Sequence, residues 1–266
     1  CRKNHINLLV VDVRSHGKSA DQIITFGIRE CKDVKCWADY AAKRFPEKSL
    51  ILSGVSMGSA SVMMASVLSL PSSVKTLICD CGYTAPAEII KETIRSFHLP
   101  VSFCYALLHF GARIFGHFNL SESTALSAVK QTKLPILFIH GDHDSIVPPK
   151  MCDELYDACA SRKKKLIITG SQHAVNAMAD FDSYEREIMN FLKESGIKIY
   201  NPKPANSPNN SNSSKPFSFI RLHSSPVSSD IWQPFCTEIL PLRLSVSSDS
   251  NVIVPSFAAR FPLIFV

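Results

Sequence analysis

Apolar residues along 1–196 recur with two periods that take turns. Short continuous runs cover 8–12, 49–54, 74–80, 134–140 and 165–169, most of them ending in Asp, Gly or His. Such runs are the pattern of strands covered on both faces. The stretches between them have a helical period. Residues 33–45 place Val34, Trp37, Ala38 and Ala41 at i, i+3, i+4 and i+7, and stop before Pro46, because a residue preceding proline is pushed out of the helical region. Residues 57–70, 148–160 and 182–194 behave likewise. Strand and helix alternating in this way predict an α/β fold, a doubly wound and mostly parallel sheet with helices on both faces. Functional loops then gather at the carboxyl edge of that sheet.

Near Gly196 the material changes. All ten glycines lie at or before it, and most prolines lie after it. Residues 201–218 carry Asn-Pro, Ser-Pro and an Asn/Ser cluster with no apolar period to bury, which reads as a disordered linker. The apolar runs 239–244 and 261–266 are interrupted or flanked by Pro241, Pro255 and Pro262, and proline demotes a strand. Residues 197–266 are therefore expected to be a Pro/Ser/Asn-rich tail, disordered or foreign to the upstream fold, with no function assigned to it.

Composition narrows the class. A chain of 266 residues that is 45% hydrophobic and 20% charged is long enough for one or two globular domains. The net charge of +6 arises from 29 basic and 23 acidic residues. The longest basic run is Arg162 to Lys165, so neither a nucleic-acid stripe nor a polybasic anchor is present and nucleic acid is not an expected partner. Apolar runs stay short of the ~18 residues that a transmembrane helix needs. Nine cysteines, an odd number without a CxxC pair, read as free thiols in a reducing, cytoplasmic compartment. The first residue is Cys1 and a strand pattern follows almost at once, so the start looks truncated.

The candidate chemistry begins at Gly54-Val55-Ser56-Met57-Gly58, between an apolar strand and a helix rich in Ala, Val and Met. Taken alone, five such residues are a glycine-flanked turn. With a strand before and a helix after, they form the pattern of a nucleophile elbow, where Ser sits on a strained turn and its glycine neighbours avoid a clash. Ser56 Oγ is then expected above the sheet, with the Met57 backbone N–H at the helix start as an oxyanion donor. A serine hydroxyl needs a base, and the base an orienting acid. Two later loops follow strands and supply both types: Gly141 to Pro148 holds Asp142 and Asp144, and Gly170 to His173 holds the histidine. The order Ser56, Asp144, His173 is the one expected of an α/β-hydrolase.

On these residues the chain resembles the α/β-hydrolase superfamily, and within it the serine aminopeptidase-like and BEM46-like hydrolases. The resemblance spans about 1–196 and is carried by DVRSHGKS at 12–19, GVSMGSA at 54–60, LPILFIHGDHDSIVPP at 134–149 and GSQHAVN at 170–176. It implies that the acid is the Asp three residues before Val-Pro, hence Asp144. Asp142 then structures the turn, and Asp80 is the fallback acid. His16, His140 and His143 are left with packing or hydrogen-bonding roles. The 12–19 segment matches the turn after strand four, where the family has Gly at the position of Ser15. Its Gly17-Lys18-Ser19 lacks the upstream glycine of a phosphate loop. Cys79 and Cys81 are expected on one face of a strand, packed in the core. Residues of about 82–132 correspond to a cap. Its Phe97, Phe103, Tyr105, Leu107, Leu108, Phe110, Phe115 and Phe118 are either an acyl or aryl pocket or packing residues.

The family order of strands is 1-2-4-3-5-6-7-8, and the resemblance aligns this chain with strands 4 to 8, leaving strands 1 to 3 missing. Residues 8–12 and 50–55 then lack the strand between them, which would leave buried backbone groups unpaired at about 1–3 kcal/mol each. The expected outcome is poor folding, or closure of the gap by sliding strand four against strand five. The second oxyanion donor, on the loop after strand three, is expected to be absent as well. The leading expectation is a serine hydrolase that cleaves a small-molecule or acyl substrate, an ester, thioester or amide, with no metal or organic cofactor. The alternative is a catalytically incompetent hydrolase-fold fragment or binding scaffold.

Overall fold

The computed structural model describes residues 6–198, together with the strand segments 219–223 and 262–265. The chain runs β1 (Leu8–Asp12), α1 (Glu30–Arg44), β2 (Leu50–Val55), α2 (Met57–Ala65), β3 (Val74–Asp80), α3 (Pro86–Ser96), α4 (Val101–Ile114) and α5 (Ala125–Val129). It continues through β4 (Ile136–Gly141), α6 (Pro149–Ala158), β5 (Lys163–Ile168), α7 (Asn176–Ala179) and α8 (Phe181–Glu194) to β6 (Phe219–His223) and β7 (Pro262–Phe265). Strands β2 to β5 pair in parallel in sequence order and form the central sheet, with helices on both faces.

Alternation along each strand sorts its side chains between two cores. Leu50, Leu52, Leu77, Ile136 and Phe138 pack with α1, α2 and α6 on one face. Ile51, Ile78, Leu137 and Ile139 pack with Phe191 and Leu192 of α8 on the other. Helix α1 starts earlier than its apolar period suggests, because two buried acids tie down the loop before it. Glu30 accepts from the N–H groups of Thr25 (2.8 Å) and Gly27 (2.9 Å), and Asp33 holds the Arg14 guanidinium at 2.7 and 2.9 Å. Of the basic run at 162–165, Lys163 to Lys165 belong to β5, at one edge of the sheet. Lysines blunt an edge against further pairing, and here Lys163 Nζ also donates to the carbonyls of Tyr156 (2.7 Å) and Cys159 (3.0 Å) at the end of α6.

The gap beside β2 is closed differently from the expectation. β1 does not slide against β2; β7 lies between them, antiparallel to both, giving the order β5-β4-β3-β2-β7-β1-β6. The segment 262–265, demoted as a strand because of its proline, thus pairs from Pro262 opposite Gly54 to Phe265 opposite Ile51. Pro262 is the first residue of β7, a position where a missing N–H is tolerated. β6, also from the tail, pairs in parallel with the outer side of β1. The 201–218 linker and the 239–244 run lie outside the described residues. Among the described residues, no helix is long and apolar enough to cross a membrane.

Candidate active site

Three loops meet at the carboxyl edge of the sheet. The first is the turn from β2 into α2, where Ser56 adopts φ 54° and ψ −116°, a conformation that L-residues rarely take. Close packing enforces the turn: a Cβ on Gly54 would lie 2.2 Å from the Gly58 carbonyl carbon. The Ser56 N–H donates to the Asp80 carbonyl at 2.9 Å, which ties the elbow to the end of β3. Met57 opens α2, so its N–H belongs to the first turn, whose donors lack intrahelical acceptors.

His173, in the loop after β5, reaches both partners. Its Nε2 is 2.9 Å from Ser56 Oγ, and its Nδ1 is 2.8 Å from Asp144 Oδ2. Asp144, in the loop after β4, is buried, and its Oδ1 accepts from the N–H groups of Ile146 (3.0 Å) and Val147 (2.8 Å). Burial alone would raise the pKa of this carboxyl. Hydrogen bonds from His140 and His173 outweigh burial and hold it well below the usual carboxylate range.

The other acids of the edge have different partners. Asp142 accepts from the Gly170 N–H at 2.6 Å and so joins the acid loop to the histidine loop. Asp80 accepts from Asn176 Nδ2 (2.6 Å) and the Tyr184 hydroxyl (3.0 Å), on α7 and α8. Burial raises the Asp80 carboxyl, against the lowering effect of those two donors. Of the remaining histidines, His143 is exposed, and His16 Nδ1 lies 2.8 Å from the Arg14 carbonyl. The Lys18 N–H faces the Asp12 carboxylate at 3.4 Å, the reverse of a phosphate cradle.

Two features of the site go beyond the sequence reading. His140, expected only to pack or hydrogen-bond, is fully buried with Nε2 2.9 Å from the Val147 carbonyl and 3.3 Å from Asp144 Oδ2. Burial disfavours its charge, yet the contacts with Asp144, Cys152 and the Val147 carbonyl prevail and raise its pKa to about 10. Its signal in the sequence was a lone ionisable residue inside an apolar strand, which demands a partner. Cys81 lies beyond the end of β3, not on it, with φ 40°. Its Sγ, Asp144 and His173 offer ligand atoms within 4.8 Å of one another. Those donor types suit a cation, but Asp144 and His173 already bond to each other. Burial also pushes the Cys81 thiol well above its usual range, so a cation would have to displace a hydrogen bond and a proton.

The large apolar residues between Phe97 and Phe118 divide. Phe118 is buried, and Tyr105 packs against the cluster of Ile28, Ile90, Ile94, Phe118 and Leu120. Phe97, Phe103, Leu107, Leu108, Phe110 and Phe115 are all exposed.

The model of the serine hydrolase (FSH1) family matches residues 39–183, a span that includes Ser56, Asp144 and His173. The chain belongs to this family. It is an α/β-hydrolase of the BEM46-like kind: it is 26% identical over 197 residues to Protein bem46 of Schizosaccharomyces pombe, covering 73% of this chain. It is also 23% identical over 188 residues, 70% of this chain, to the uncharacterized protein YqkD of Bacillus subtilis. The matched regions span 60% and 62% of the length of these two relatives. Among solved structures, the Pyrococcus furiosus esterase Pf2001 shares the fold, with a TM-score of 0.54 and 20% identity over 69% of this chain and 68% of that one.

Proposed function

We propose that this hydrolase works through an acyl-enzyme, with Ser56 as nucleophile, His173 as base and acid, and Asp144 as the orienting carboxylate. The observation that carries the reading is the unbroken line of hydrogen bonds from Ser56 Oγ through the His173 ring to Asp144 Oδ2. As Oγ attacks the substrate carbonyl carbon, His173 Nε2 takes the serine proton and the carbonyl electron pair moves onto oxygen. The Met57 N–H donates to that oxyanion. Collapse of the tetrahedral species breaks the bond to the leaving group, which receives the proton from Nε2. Water then repeats the sequence on the acyl-serine, releasing the acid and restoring Ser56. Asp144 accepts from Nδ1–H throughout and stabilises the imidazolium.

Carboxylester or lipid-acyl substrates fit better than peptides, since no acidic cluster suited to a peptide amino terminus stands out among the described residues. The catalytic unit on this reading is built on 1–196, with a cap at about 82–132, and β6 and β7 of the tail complete its sheet.

The test is fluorophosphonate labelling of the purified chain beside Ser56→Ala, with the modified residue located by mass spectrometry. An adduct on Ser56, absent from the variant, is expected. Folded protein that takes no label would sink the reading and leave a binding scaffold in its place.

A further inference from the structure

The outer face of α4 has no cover among the described residues. Phe103, Leu107, Phe110 and Ile114 recur at i, i+4, i+7 and i+11, a single stripe of the helix, and all are exposed. Phe97 and Phe115, at either end, stand out further at 69% and 77% exposure. The inner face is apolar too, with Val101, Cys104 and Tyr105 packed against the cluster of Ile28, Ile90, Ile94, Phe118 and Leu120. A helix that is hydrophobic all round is normally covered all round. A contiguous apolar patch of this kind marks an interaction surface.

The surrounding charges select the partner. No Asp or Glu occurs from Thr93 to Ser121. Arg113 stands in the last turn of α4, and Arg95, which also pairs with Glu92 at 2.9 Å, in the last turn of α3. The stripe itself is Phe, Leu and Ile. It carries none of the Trp, Tyr or Arg anchors that dominate protein–protein hot spots. An apolar helix face with Arg113 beside it and no acid within the helix itself suits the headgroup boundary of an anionic bilayer, where apolar insertion and attraction to lipid charge add together.

We propose that the outer face of α4 docks on an anionic phospholipid surface, inserting Phe103, Leu107 and Phe110 and setting Arg95 and Arg113 against the headgroups. Helices α3, α4 and α5 form the excursion between β3 and β4, the strands that lead to Asp80 and Asp144. Docking therefore brings lipid to the cap of the hydrolase. That acyl substrate is drawn from the bilayer rests on the acyl-enzyme reading; the docking does not.

The experiment is co-flotation of the full chain with vesicles of phosphatidylcholine alone and of phosphatidylcholine mixed with phosphatidylserine. The chain is expected to float with the mixed vesicles, and less as salt rises. The double variant Phe103→Asp, Phe110→Asp is expected to bind at least about tenfold more weakly. Its thermal unfolding midpoint should match the parent's, because both positions are exposed. Arg113→Glu should reduce binding to the mixed vesicles selectively. Absence of flotation, or flotation that the double variant leaves unchanged, would overturn the proposal. So would a vesicle-free dimer that the double variant disperses, since a second copy would then be the cover. Ser56→Ala should float like the parent. Lost flotation with intact labelling defeats the docking, and lost labelling with intact flotation defeats the acyl-enzyme reading.

Discussion

Helices α2 and α4 are made of similar apolar material and end in opposite surroundings. Every residue from Met57 to Ala65 is buried, whereas none from Val101 to Ile114 is. The difference lies in where the chain takes them. Helix α2 crosses from β2 to β3, neighbours in the parallel sheet, and packs on β2, β3 and β7. Its small residues let backbones come close: a Cβ on Gly82 would lie 2.3 Å from Ser59 Oγ. Helix α4 belongs to an excursion between β3 and β4 and meets the fold through α3. Hydrophobic composition therefore states that a helix needs a cover; topology decides whether the chain itself provides one.

The largest test removes part of the α2 cover. Deleting 262–266 takes out β7 and leaves facing edges of β1 and β2 unpaired. At about 1–3 kcal/mol for each unsatisfied buried group, the loss approaches the whole reserve of about 5–15 kcal/mol of a typical domain. Thermal denaturation should lose its cooperative transition; a sharp transition in the truncated chain would show that β7 is dispensable.

Side-chain truncation sharpens the contrast directly. Met63→Ala in α2 should cost about 2–5 kcal/mol, the range for emptying a fully buried methionine site. Leu107→Ala in α4 should stay within about 0.5 kcal/mol, as exposed positions do. Equal losses in urea titrations of the two variants would mean that α4 is covered after all.

A smaller, pH-dependent effect comes from His140, buried in the sheet that α2 covers. Its folded pKa, about 10, lies above the unfolded value of about 6.5. The stability it contributes is thus complete below the unfolded value and is lost as the pH rises through about 10. Asp144 has the opposite sign: its depressed pKa stabilises above the ordinary Asp range and is lost on acidification. His140→Gln should flatten the alkaline slope of the unfolding midpoint; an unaltered slope would assign that slope to another group.

The smallest effect is at Ser15, which takes φ 59°. That is a conformation that glycine adopts without strain. Ser15→Gly should stabilise by about 1 kcal/mol in the same titration, against no gain if the turn relaxes.

The two-period pattern of apolar residues determined most of the framework. The runs at 8–12 and 74–80 coincide with β1 and β3, and the loops after β2, β4 and β5 carry Ser56, Asp144 and His173 in the expected order. Boundaries shifted where polar groups are buried, as at Glu30 and Asp33, because a hydrophobic period cannot register an acid that is satisfied inside the fold. Helix α2 stops at Ala65, short of the expected 70, where the Leu68 N–H turns back to the Ala65 carbonyl ahead of Pro71.

What only the tertiary structure decided is which distant pieces meet. The 2.8 and 2.9 Å contacts of His173, the approach of His140 to Asp144, and the seat of β7 between β1 and β2 join residues with no local signal for one another. The physical reason is the same in each case. Periodicity encodes the face that a segment must bury, a property of neighbouring residues. Backbone edges and buried polar atoms accept any partner that satisfies them, so their pairing is settled only when the chain is closed in space.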